Sequence, residues 1–140
     1  MNARPRCVFV DDDPDYLAML RQIFPRICPE IEAIGFGSSV EALDFLRRVR
    51  VSFVLTDLRM PVLNGLQFAA AVRELNPAIP IILISGNEYG VDELTGVVDA
   101  VLWKGALISE LAPTLDRLGI ERSVPGLGWV GPREVEAPKS

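Results

Sequence analysis

The stretch Cys7-Val8-Phe9-Val10-Asp11-Asp12-Asp13-Pro14 decides how the rest of the chain is read. A short apolar run ends on three carboxylates. Asp13-Pro14 then looks like a helix start, with Asp13 as N-cap and Pro14 in the first turn. This is a strand feeding a helix, with acidic groups at the junction. Three more apolar runs end the same way. Phe53-Val54-Leu55-Thr56 leads to Asp57, Ile81-Ile82-Leu83-Ile84 to Ser85, and Val101-Leu102-Trp103 to Lys104. If the runs are parallel strands of one sheet, Asp11, Asp12, Asp57, Ser85 and Lys104 all emerge at its carboxyl edge. Ligands bind there in open α/β sheets.

The remaining segments fit that alternation. Strands are expected at 6–10, 31–36, 52–56, 80–84 and 99–103. The first helix should reach about Phe24 and stop at Pro25. Ser38 and Glu41 fit a capping box opening a second helix, with Val40, Leu43 and Leu46 at helical spacing. Leu66, Phe68, Ala69, Val72 and Leu75 form an amphipathic helix after Gly65, closed by Asn76-Pro77. A helix at 88–96 is weakened by Gly90 and Gly96. The last helix lies within 107–118 and ends at Gly119; Pro113 either kinks it or delays its start. Five such units give a doubly wound α/β fold, a five-stranded parallel sheet with helices on both faces. Near-continuous apolar strands agree, since strands covered on both sides need not alternate.

The expected domain is residues 1–119. Residues 120–140 carry Pro and Gly breakers without apolar periodicity and read as a flexible C-terminal tail or linker. They contain Gly126-Leu127-Gly128-Trp129-Val130-Gly131, a formal G-x-G-x-x-G. No strand precedes it and Pro132 follows, so the dinucleotide-binding context is missing.

Composition narrows the function. The 140 residues carry a net charge of −5, and the 14 basic residues are scattered. A nucleic-acid surface would need a basic patch. Arg47-Arg48-Val49-Arg50 reads as a solvated helix end. No apolar run approaches the ~20 residues of a membrane span, and a cytoplasmic protein is expected. Cys7 and Cys28 have neither metal nor redox spacing. Histidine is absent, which removes Ser-His-Asp and Cys-His catalysis. Any phosphohistidine donor must be on another molecule.

Clustered carboxylates repel one another, so a bound cation keeps them ionised. Mg²⁺ takes one or two carboxylates together with waters and phosphate oxygens. Asp12 and Asp57 suit direct ligation, and Asp11 a role through a coordinated water. A carboxylate can also be a nucleophile, forming an aspartyl phosphate. Transfer then depends mainly on positioning and charge neutralisation, work suited to the cation, Lys104 and the Ser85 hydroxyl.

Over about residues 6–118 the chain resembles the receiver domain of two-component response regulators. Val10-Asp11-Asp12-Asp13-Pro14 resembles that family's acidic pair. Thr56-Asp57-Leu58-Arg59-Met60-Pro61-Val62-Leu63-Asn64-Gly65 resembles its D-x-x-M-P-x-x-x-G motif. Ser85 and Lys104 fall at its hydroxyl and lysine positions. The resemblance implies a flavodoxin-like sheet of order 2-1-3-4-5. It implies phosphorylation at Asp57 by a partner histidine kinase or phosphotransfer protein, and signalling through an output protein that the sequence does not identify. It implies Mg²⁺, or Mn²⁺, held by Asp12, Asp57 and the backbone carbonyl of Arg59, with Asp11 in the second shell. Ser85 and Lys104 would contact the phosphoryl oxygens, and Arg59 and Asn87 would tune hydrolysis. A phosphoacceptor, rather than an enzyme acting on other molecules, is expected. It would catalyse its own phosphorylation and dephosphorylation.

Two positions depart from that pattern. Val101 stands where the family has Tyr or Phe, and Gly105 where it has Pro. Trp103 shares strand parity with Val101 and is a candidate replacement for the aromatic. The departures keep open a scaffold of the same fold with impaired switching. Asp11-x-Asp13 also fits the opening of haloacid-dehalogenase-like phosphatases, with Asp11 as nucleophile and Asp13 as acid/base. Pro14-Asp15 does not continue that motif.

Overall fold

The computed structural model describes residues 4–86 and 96–120. Five parallel strands form one sheet in the order β2-β1-β3-β4-β5. They are β1 (Arg6–Val10), β2 (Glu32–Phe36), β3 (Phe53–Asp57), β4 (Ile81–Ser85) and β5 (Ala100–Trp103). The described helices are α1 (Pro14–Ile27), α2 (Ser39–Leu46), α3 (Gly65–Leu75) and α4 (Leu107–Arg117). Residues 88–95 of the helix expected at 88–96, and the tail beyond Ile120, lie outside the described residues; Gly96 stands in a turn. Ile120 itself is buried against the core.

Side-chain alternation along the strands builds two cores. Cys7, Phe9, Phe53, Leu55, Ile82, Ile84 and Leu102 face one side, under α1 and α4. Val8, Val10, Val54, Ile81 and Leu83 face the other, under α2 and α3. Phe9 stacks on Phe24 of α1 with ring centroids 5.8 Å apart, which fixes α1 over β1. A bed buried on both faces holds the strand ends in place.

Several expected boundaries move. β3 and β4 each begin and end one residue later than expected, so Asp57 and Ser85 close their strands instead of following them. β2 and β5 each begin one residue later. Pro25 does not stop α1, which continues to Ile27. A proline in the last turn removes one hydrogen bond, and the Cys28 N–H still donates to the Phe24 carbonyl at 2.8 Å. Pro113 does not delay α4, which begins at Leu107. Ser38 caps α2 by accepting from the Glu41 N–H at 3.3 Å. The full capping box is at α3, where Asn64 and Gln67 exchange hydrogen bonds of 2.9 Å. The sequence reading had not singled out that pair.

Candidate functional site

Strand parity brings the charged groups together. Asp11 continues the alternation of Cys7 and Phe9, Asp57 that of Phe53 and Leu55, and Lys104 that of Leu102. All three project toward the α1/α4 side. The Asp11 N–H extends the β1–β2 ladder by donating to the Phe36 carbonyl at 3.1 Å. Asp11 is fully buried and Asp57 is 8% exposed. Asp12 projects to solvent. One carboxylate oxygen from each of Asp11, Asp12 and Asp57 lies within 4.8 Å of the others.

Lys104 answers this negative charge. Its Nζ lies 2.9 Å from Oδ2 of Asp11 and 3.4 Å from Oδ1 of Asp57. Oδ1 of Asp11 accepts from the Asp13 N–H at 2.9 Å. Oδ2 is compensated by the Lys104 ammonium. Burial raises the Asp57 pKa most, and the Asp11 charge adds to it. Lys104 and the Leu58 N–H oppose the rise without cancelling it. For Lys104, burial is the largest single influence and pulls its pKa down. The hydrogen bond and charge of Asp11, then those of Asp57, outweigh burial and leave it above the ordinary lysine value. The ammonium therefore stays charged at neutral pH.

Tyr16 of α1, which the sequence reading passed over, completes the cluster. The Lys104 ammonium lies 4.4 Å from the centre of its ring, and its hydroxyl donates to the Lys104 carbonyl at 3.4 Å. Burial, then the charges of Asp11 and Asp57, push the phenol up to about 12, so it remains a donor. Tyr16 sits two residues beyond Pro14, on the helix that the Asp13 cap launches. No signal in the sequence marks it, because the contact exists only once α1 is packed over the sheet face on which Lys104 emerges.

The loop after Asp57 is shaped by its own bonds. The Gly65 N–H donates to the Leu58 carbonyl at 2.7 Å, and the Leu63 N–H to the Pro61 carbonyl at 2.8 Å. The second bond closes a γ-turn on Val62, whose φ is +68°. Ser39 of α2 ties the loop down by donating to the Leu63 carbonyl at 3.0 Å. Gly65 is obligatory, because a Cβ there would run into the Asp57 carbonyl oxygen and lie 2.8 Å from the Leu58 Cα. Beside this loop Asp57, Leu58, Arg59, Ser85, Gly86 and Lys104 line a cavity of about 250 Å³. The sequence-derived set of Asp57, Arg59, Ser85 and Lys104 thus shares one space, with Asp11 and Asp12 at its acidic side. Asn87 lies outside the described residues.

Hard oxygen donors from three clustered carboxylates and an adjoining polar cavity fit a small divalent cation of the Mg²⁺ type. An anion bound beside that cation would meet Lys104.

Residues 7–105 match the family described as the response regulator receiver domain. The chain belongs to this family. The receiver is 41% identical over 80 residues to the cyclic di-GMP phosphodiesterase response regulator RpfG of Xanthomonas campestris pv. campestris. That match covers 56% of this chain and 21% of RpfG. It is 29% identical over 142 aligned positions to the transcriptional regulatory protein PrrA of Mycobacterium leprae, covering 96% of this chain and 60% of PrrA. The receiver thus spans about a fifth of the one relative and three fifths of the other. Its fold is similar to that of the response regulator TrrA from Thermotoga maritima, solved in complex with Mg²⁺-BeF. The TM-score is 0.74 at 23% identity, covering 81% of this chain and 98% of TrrA. It is also similar to the chemotaxis protein CheY4 of Vibrio cholerae, with a TM-score of 0.72 at 23% identity, covering 82% of this chain and 98% of CheY4.

Membership displaces the phosphatase alternative, and the geometry opposes it independently. Asp11 is buried against Lys104, out of reach of a substrate. Asp13 caps α1, its Oδ1 accepting from the Asp15 N–H at 3.0 Å.

Proposed function

We propose that this receiver accepts a phosphoryl group on Asp57 from the phosphohistidine of a partner histidine kinase or phosphotransfer protein. An Asp57 carboxylate oxygen attacks phosphorus, the phosphorus–nitrogen bond breaks, and the imidazole leaves with the electron pair of that bond. Hydrolysis of the resulting acyl phosphate restores the carboxylate. The observation that carries this reading is the Lys104 ammonium set between Asp11 and Asp57, beside an acidic triad and an open cavity.

Asp12, Asp57 and the Arg59 carbonyl would hold Mg²⁺, or Mn²⁺, with Asp11 in the second shell. The bound cation would supply charge neutralisation as the phosphoryl group arrives. Asp57 provides the nucleophile. Lys104 and the Ser85 hydroxyl contact the phosphoryl oxygens, and Arg59, at the cavity wall, and Asn87 set access for hydrolytic water. The domain acts as a phosphoacceptor that promotes its own phosphorylation and dephosphorylation, not as an enzyme on other substrates. We assign residues 1–119, with Ile120 packed on their core, to the receiver, and the rest of the 120–140 segment to a tail or linker. Signalling then proceeds by contact with an output protein in the cytoplasm, without direct nucleic-acid or membrane binding by this domain. The test is phosphotransfer from a panel of histidine kinases. Labelling of the wild type and its loss in Asp57→Asn support the reading, whereas equal labelling of both overturns it.

A second reading, a scaffold with impaired switching, is favoured by one observation. Val101 is half-buried against the α2/α3-side core and Trp103 is 40% exposed, so neither stands as a packed aromatic awaiting a rotamer change. An unchanged hydrogen-exchange pattern on full beryllofluoride occupancy would select this reading.

A further inference from the structure

The side chains that hold Lys104 in place come from other elements of the fold. Its backbone lies in a single 3₁₀ turn, Lys104–Ala106, which has no side-chain N-terminal cap. α4 follows directly, also without a side-chain cap. Gly105 in the middle of that turn is exposed, and a Cβ built there meets nothing within 4 Å. Glycine at an open position leaves the backbone its full freedom. The turn that carries the ammonium therefore has little local restraint.

Tyr16 supplies a restraint from another element. Its ring meets the ammonium at 4.4 Å and its hydroxyl meets the carbonyl of the same residue at 3.4 Å. Both ends of Lys104 are thus touched by one side chain, itself anchored on a helix packed over β1. A cation over an aromatic face is attracted by the ring quadrupole, most strongly where water is partly excluded. The hydroxyl contact is long and contributes less. The ring also narrows the rotamers of a side chain that otherwise loses considerable entropy on ordering.

We infer that Tyr16 is a positioning residue that holds the Lys104 ammonium where it meets the phosphoryl group on Asp57. The inference rests on the phosphoacceptor reading of Asp57. It places on α1 a determinant of phosphoryl-site geometry, and the ring is its active part.

The test compares wild type, Tyr16→Phe, Tyr16→Leu and Asp57→Asn. The readouts are the initial rate of phosphorylation by acetyl phosphate with Mg²⁺ and the affinity for beryllofluoride. Tyr16→Leu should lose about five- to tenfold in both, while Tyr16→Phe stays within about twofold of wild type. Rescue by phenylalanine separates positioning by the ring from a loss of fold. A Tyr16→Leu variant as active as wild type overturns the inference, and so does a Tyr16→Phe variant as impaired as Tyr16→Leu. A wild type that takes up neither phosphoryl group nor beryllofluoride overturns the phosphoacceptor reading instead. A measurement on the wild type alone covers a Tyr16→Leu protein that fails to fold. The ε-methylene protons of Lys104 should show an upfield ring-current shift by NMR, retained in Tyr16→Phe. Random-coil shifts for them would also overturn the inference.

Discussion

The Lys104 ammonium lies 2.9 Å from Oδ2 of Asp11, a carboxylate that is fully buried. A buried charge is tolerated only when it is paired, so this contact ties β5 to β1 across two intervening strands. The same ammonium reaches Asp57 at 3.4 Å. One cation thus serves two carboxylates, and the pocket retains excess negative charge beside Asp12.

That excess has a consequence for stability. The Asp57 pKa is raised above its ordinary 3.8, by burial first and Asp11 second. The folded state then binds a proton more readily than the unfolded state, so this group lowers stability as pH rises from 3.8 through its raised folded value. Asp57→Asn should therefore be at least as stable as wild type at pH 7 without metal. The difference should vanish below the unfolded value of 3.8. Urea titrations at several pH values measure it, and added Mg²⁺ should stabilise the wild type more than the variant.

The proposed metal-binding carboxylates should separate by mutation. Asp11→Asn should weaken Mg²⁺ binding about tenfold, as expected for an outer-shell partner. Asp12→Asn should weaken it more. Isothermal titration with Mg²⁺ gives both constants, and equal losses would contradict the assigned roles.

Gly65 holds the Asp57 end of β3 by being small. Gly65→Ala forces its Cβ against backbone of Asp57 and Leu58, atoms that cannot turn aside. The variant should lose roughly 1–3 kcal/mol of stability and phosphorylate more slowly, because Asp57 must shift. Urea denaturation and the acetyl phosphate rate check the two effects.

Val62 holds a positive φ of +68° at the centre of a γ-turn and is 81% exposed. A β-branched residue is strained there, and no burial compensates. Val62→Gly should relieve about 1 kcal/mol, net of the extra chain entropy glycine brings to the unfolded state. The shift in urea midpoint measures it.

Much of this was legible in the chain because strands buried on both faces announce themselves as apolar runs, and their polar terminators follow in order. The gathering of Asp11, Asp12, Asp57, Ser85 and Lys104 at one sheet edge was readable for that reason. The helix stops were less so. Pro25 and Pro113 look like breakers, but Leu20 and Phe24, and Leu111 and Leu115, pack α1 and α4 into the core around them, and tertiary packing outweighs one lost hydrogen bond. Tyr16 was not legible, since its contact with Lys104 spans 88 residues and follows only once α1 is placed over β1. The strain at Val62 also escaped notice, because valine does not signal a positive φ.

The central claim is that Asp57 is the phosphoryl acceptor. Incubation with acetyl phosphate and Mg²⁺, borohydride trapping of the acyl phosphate and mass-spectrometric mapping test it most directly. The account predicts modification at Asp57, abolished in Asp57→Asn. Modification mapped mainly to Asp11 or Asp13 would contradict it.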